Sequence, residues 1–166
     1  MFRILNKNKG FTFLELVIVF FVVTVGILGV FRFVSYPIFY SSLSKSRLTA
    51  TYLAQEGIEI VRNLRDENWL NNKSWNDGLG AGDYRADYDD LVLFSDNVGR
   101  YLNIENLSGF YGYSGGTQTK FTRKITIDDT NPEFLKVSVE VNWKEKGKAQ
   151  TPIIIQGNLY DWWPSS

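Results

Sequence analysis

The sequence predicts an α+β protein: one long N-terminal helix followed by an antiparallel sheet. Three observations predict it. The 21 residues from Phe11 to Phe31 carry Glu15 as their only charge. From Ala50 to Leu64, apolar residues recur at three- and four-residue steps, the spacing of one helix face. From Leu135 to Trp143, apolar and polar residues alternate one for one, the spacing of a half-buried strand.

Composition narrows the function before any motif is read. The 166 residues suffice for one domain and an appendage. Without cysteine there is no disulfide, thiolate or thiol redox chemistry, and without histidine the commonest general base and metal ligand are missing. Basic and acidic residues balance at 18 each, so no nucleic-acid partner is expected. The charges are unevenly placed, however. Arg3, Lys7 and Lys9 precede Gly10 with no acid among them. Without these three bases, fifteen face eighteen acids, a formal charge of −3 after residue 10.

The apolar run is long enough to span a bilayer, which takes about 20 helical residues. Basic residues before it would hold the N-terminus in the cytoplasm and place the rest of the chain beyond the cytoplasmic membrane. A cleavable secretory signal would show small residues after the apolar core, but "FRFVSYPIFY" follows. A plain anchor fits the hydropathy yet leaves Glu15 unexplained. An acid at the centre of a membrane helix costs about 2.5–3.5 kcal/mol on insertion scales, less near the interface, and by default marks function.

"KGFTFLE", from Lys9 to Glu15, resembles the class III signal of type IV pilin-like proteins. The resemblance implies a leader over residues 1–10, cut by a prepilin peptidase between Gly10 and Phe11. It implies N-methylation of Phe11 and a filament-assembly role for Glu15, the fifth residue of the mature chain. Glu15 would then pair with the Phe11 amine of a neighbouring subunit. It further implies a pilin-like fold, with a membrane and filament-core helix over 11–36, an amphipathic helix over 37–70 and a sheet head over 71–166. The implied partners are the peptidase and methyltransferase, other pilin subunits, the assembly platform, and membrane lipids before assembly. The implied function is a structural subunit, a minor pilin or pseudopilin of a type IV pilus, type II secretion or competence filament. The alternative is an extracytoplasmic binding domain on an uncleaved anchor. "AQEGIEIVRNLRDENW" also resembles, more narrowly, a segment of minor pilins of the PilV group.

Pro37 removes a helix hydrogen bond and predicts a kink or break. Beyond it, Leu53, Gly57, Ile60, Val61 and Leu64 form an apolar stripe flanked by Ala50, Ala54 and Ile58. Glu56, Glu59, Arg62 and Asp66 read as a solvated face, with Glu56 or Glu59 available to a neighbour's arginine. Arg62 and Asp66 form an i,i+4 pair in its weaker order. The Gly- and Asn-rich stretch 71–83 reads as a loop that ends the helix near residue 70.

Four to six strands are expected after it. "GDYRADYDD", "LVLFSD" and "GRYLNIEN" read as short strands, and aromatic "GFYGYSGG" ends in a Gly-Gly turn. "TKFTRKITIDD" places Phe121, Ile125 and Ile127 on one face, which Arg123 shares. "EKGK" reads as a turn at Gly147, and Pro152 suits a strand start or an edge. The terminal "LYDWWPSS" reads either as aromatics that cover the core or an edge, or as an exposed contact.

Catalytic motifs are wanting, so no enzymatic activity and no cofactor is expected. "GYSGG" is not a nucleophile elbow, and "GLGAGD" lacks the Lys and Ser/Thr of a phosphate loop. Asp83, Asp87, Asp89 and Asp90 lack the spacing of a calcium loop and read as exposed acids at strand ends. "NKS" and "NLS" match glycosylation sequons, a weak signal at three residues.

Overall fold

The computed structural model describes residue 10 and residues 12–163. They form one helix, α1 (Phe13–Leu70), and seven strands: β1 (Gly82–Tyr84), β2 (Tyr101–Ile104), β3 (Tyr111–Gly112), β4 (Thr117–Asp128), β5 (Phe134–Glu145), β6 (Lys148–Ala149) and β7 (Ile153–Tyr160). The chain divides into two units, Met1–Leu43 and Ser44–Ser166. The α+β class is as expected, with seven strands where four to six were predicted. Pro37 lies inside α1 and does not break it. A proline deletes its own N–H donor and strains one carbonyl a turn back, and neighbouring bonds can carry the helix past that loss.

In the first unit every described residue from Thr12 to Val34 is exposed. Phe13–Val34 has a mean hydropathy of 2.7, long and apolar enough to cross a membrane. Its hydroxyl residue Thr24 donates to the Phe20 carbonyl at 2.7 Å, so a polar side chain in apolar surroundings is satisfied within its own helix.

The second unit is built on the β4–β5 hairpin. Eight consecutive pairs, from Phe121↔Trp143 to Asp128↔Lys136, fix its register. The hairpin buries Phe121, Arg123, Ile125 and Ile127 from one strand and Leu135, Val137, Val139, Val141 and Trp143 from the other. All pairings are antiparallel: β1 and β2 flank β4, β3 extends β2, and β6 and β7 flank β5. The β5–β6 turn falls on Lys146 and Gly147, both at positive φ (48° and 79°), the backbone that a two-residue hairpin favours.

Within this unit the expected stripe of α1 faces the sheet: Ala50, Leu53, Ala54, Ile58, Ile60, Val61 and Leu64 are all buried. Gly57 makes the close approach possible. A Cβ there would meet Val139 Cγ1 at 2.8 Å and Arg123 Cδ at 3.4 Å. The helix ends in a Schellman motif: Lys73 N–H donates to the Asn68 carbonyl (2.9 Å) and Asn72 N–H to that of Trp69 (3.0 Å), with Asn72 at φ 55°. The Asn68 amide then donates to the carbonyls of Trp75 and Asp77 and folds the following loop onto the helix end.

Several local expectations are corrected. Only residues 82–84 of "GDYRADYDD" form a strand, and "LVLFSD" forms none, apart from an isolated bridge between Arg85 and Phe94. Side chains outcompete the ladder there. Arg85 grips Asp96 through both carboxylate oxygens (3.1 and 3.2 Å), and Asp87 N–H donates to Asp90 (2.6 Å). Arg62 pairs with Glu59 rather than with Asp66, because the acid-first order suits the helix dipole better. Asp66 is taken by Arg65 at 2.8 Å.

Glu56 is half-buried rather than on a solvated face. It accepts from Nη1 of Arg123 in its own chain at 2.8 Å. Arg123 is 1% exposed and also donates to the carbonyls of Leu53 (3.2 Å) and Ala86 (2.7 Å). Two stability predictions follow from this junction. Gly57→Ala forces the helix off Val139 and should destabilise by about 1–3 kcal/mol, as overpacking does. Glu56→Ala strands a buried cation and should cost about 1–3 kcal/mol, below the value for a fully buried pair because Glu56 is partly exposed. Urea unfolding of the detergent-solubilised protein, followed by near-UV circular dichroism, measures both. A loss under about 0.5 kcal/mol, the scale of ordinary surface changes, would contradict either.

Candidate functional site

The sequence directs attention first to Gly10, Phe11 and Glu15. Gly10 is exposed, and a Cβ there would meet nothing within 4 Å among the described residues. Phe11 and the basic Arg3, Lys7 and Lys9 lie outside the described residues. Glu15 is exposed in the first turn of α1.

Thr12 sets the start of that helix. Its Oγ1 accepts the backbone N–H of Glu15 at 3.3 Å, and its carbonyl accepts that of Leu16 at 3.2 Å. Thr12 is therefore the N-cap and Glu15 the third helical residue, the spacing of a T-x-x-E capping box. A carboxylate at this position also lies at the positive end of the helix dipole. The same carboxylate that is costly at the middle of a bilayer is thus favoured by the backbone where it stands. The signal for this cap in the sequence is the T-x-x-E spacing of "TFLE".

Of the four acids singled out in the head, Asp83, Asp87 and Asp90 are engaged by their own chain, and Asp89 is exposed. Asp83 accepts from Thr126 (2.6 Å) and Lys124 (3.4 Å). Both oxygens of Asp87 accept the Tyr113 backbone N–H (2.9 and 3.2 Å), and the Tyr113 hydroxyl in turn donates to the Arg123 carbonyl (3.1 Å). Asp87 and Tyr113 therefore tie the 86–96 segment to the sheet beside Arg123. Burial pushes the Tyr113 hydroxyl up from its ordinary range. Among the described residues no group of three or more acids converges as a metal-ligand set. The terminal aromatics lie against the end of α1, with Trp162 centred 5.0 Å and Trp163 6.3 Å from Trp69. They lie on a helix end rather than in the core, and they stay exposed.

A family model matches this chain at its N-terminus. Residues 5–31 match the family model described as the prokaryotic N-terminal methylation motif. The match holds Gly10, Phe11, Thr12 and Glu15, and it supports a type IV pilin-like protein that is processed by prepilin peptidase. The helix and antiparallel sheet described above form a pilin-like α+β arrangement. No curated protein matches the chain, and no solved structure does.

Asp87 yields a pH prediction. Burial raises it above its ordinary value of 3.8, the Tyr113 N–H pulls it back, and Asp90 and Asp89 raise it against the opposing charge of Arg123. An acid with a raised folded pKa holds its proton more tightly when folded, so its contribution to stability declines as pH rises from 3.8 through the raised value. Asp87→Asn keeps an oxygen for Tyr113 and removes the titration. The variant should gain on the parent as pH rises through that window, and the difference should level off above it. Urea midpoints at stepped pH measure this, and a difference that does not vary with pH would contradict the account.

Proposed function

We propose that this chain is a structural subunit, a minor pilin or pseudopilin, of a filament assembled at the cytoplasmic membrane. The observation that carries the reading is the methylation motif over residues 5–31, set on an exposed apolar helix whose first turn holds Glu15. A prepilin peptidase cuts between Gly10 and Phe11 on the cytoplasmic side. The new Phe11 amine is then methylated, and the head lies beyond the membrane. The apolar helix holds the subunit among lipids until assembly and packs among other pilin helices afterwards. Glu15 then meets the Phe11 amine of a neighbour. A pair of that kind, buried among apolar helices, sets register more than it adds stability.

The reading as a minor subunit rests on the resemblance of "AQEGIEIVRNLRDENW" to the PilV group. The absence of His and Cys and of recognisable catalytic motifs supports a structural rather than an enzymatic role. The filament class spans type IV pili, type II secretion and competence systems, and the chain's chemistry is common to all three.

Intact-mass and N-terminal peptide analysis of the membrane-extracted protein tests the processing step. With an active, matched prepilin peptidase the chain should begin at N-methylated Phe11, and without the peptidase at Met1. A chain that begins at Met1 in both cases would return the head to the status of a binding domain on an uncleaved anchor. Glu15→Leu tests assembly. It should leave membrane insertion intact and reduce incorporation into sheared filaments at least roughly tenfold, the loss expected when a buried charge has no partner. Unchanged incorporation would overturn the assigned role of Glu15.

A further inference from the structure

The end of α1 carries an aromatic corner that the filament reading does not use. Trp69, Trp162 and Trp163 meet there with Leu70 and Asp66 around a cavity of about 200 Å³. Trp162 stands at 73° to Trp69 and at 67° to Trp163, with centroids 5.0 and 5.7 Å apart. Trp162 and Trp163 are 61% and 53% exposed, and Leu70 is 81% exposed. Trp162 thus stands steeply to the other two indoles, while Trp69 and Trp163 are inclined by 30°, and the corner is open to solvent.

The chemistry of the walls selects a ligand class. The indole N–H of Trp69 is already donated to Asp161 at 3.1 Å, and the polar side chain in the lining, Asp66, is an acceptor. An anion would find a carboxylate, and a sugar, whose hydroxyls need donors as well as acceptors, would find as donors the indole N–H groups of Trp162 and Trp163 alone among the lining side chains. A cation sheathed in methyl groups needs neither. It is drawn to indole faces by their quadrupole and to carboxylates by charge, and it gives up little hydration on entering. The corner already takes a cation: the Arg65 guanidinium lies 4.6 Å from the centre of the Trp69 ring while it pairs with Asp66. Asp66 and Asp161 outnumber that one guanidinium, so the local charge stays negative. The volume is below the roughly 300–1,000 Å³ of drug-sized pockets, so it suits a compact head group.

We infer that the corner formed by Trp69, Trp162 and Trp163 beside Asp66 binds a quaternary ammonium group of the choline type, free or carried on a lipid head group.

Ligand-observed saturation-transfer NMR on the full chain in maltoside micelles tests this through the N-methyl resonance of choline chloride. Glycerophosphocholine is titrated in parallel, and methyl glucoside and ammonium chloride serve as comparators at equal ionic strength. Choline should show saturable transfer, and ammonium and the glucoside should not. Tighter binding of choline would indicate a free amine and tighter binding of glycerophosphocholine a lipid-derived one, and either supports the site. Trp162→Ala should weaken binding roughly five- to thirtyfold, the range of one desolvated cation–π contact. Trp162→Phe should restore most of the loss. Asp66→Asn keeps an oxygen for Arg65 and should weaken binding roughly three- to tenfold. Choline transfer that does not saturate, that the glucoside equals, or that survives Trp162→Ala and Asp66→Asn unchanged would overturn the inference. None of these outcomes depends on whether the chain is cut at Gly10.

Discussion

The head is organised around one guanidinium. Arg123 stands at an inward position of β4, where its neighbours Phe121, Ile125 and Ile127 are apolar. A cation there is tolerable only if its donors are spent, and two of its three nitrogens are. They reach the Leu53 carbonyl and Glu56 on α1 and the Ala86 carbonyl after β1, while Nε finds no partner. The side chain therefore ties α1, which no ladder joins to the sheet, to β4 and to the Ala86 segment that follows β1. The same locality needs Gly57, because the helix must come close enough for Glu56 and the Leu53 carbonyl to meet the guanidinium. Such a knot specifies how the helix sits on the sheet, whether or not it contributes much net stability.

What the sequence made legible follows from periodicity. The stripe of α1 and the alternation of β5 are both long and regular, and the structure buries those positions. The turn at Gly147 and the helix end near residue 70 were marked by residues that tolerate positive φ. What was not legible depends on long-range side-chain bonds. Period two placed Arg123 inward, but its charge argued the other way, and only the meeting with Glu56, 67 positions earlier, resolves the conflict. Residues 85–96 looked like strands because their composition is strand-like. Arg85, Asp87 and Asp90 bind their backbone or loop neighbours instead, and no local pattern announces that. At the N-terminus, Gly10 and Glu15 stand out by their spacing to the apolar run, whereas the cap at Thr12 is marked by a single hydroxyl three residues before the glutamate.

The two edges of the sheet are finished differently. On one side β1, β2 and β3 are two to four residues long, and the β2–β4 pairing shifts register between Tyr101 and Asn103. Short and irregular strands make poor templates for a foreign chain. On the other side β7 pairs with β5 over eight regular residues and carries no charge. Its protection is limited to Pro152 just before it and the aromatic tail after it. The sheet is thus guarded by geometry on one flank and by its ends alone on the other.

The position of the helix cap has one more consequence. The hydrogen bonds that begin α1 start from the side chain and carbonyl of Thr12, downstream of the Gly10–Phe11 bond. Hydrolysis of that bond leaves both of them standing. Maturation at this point would remove neither hydrogen bond, and what changes is the charge presented next to them.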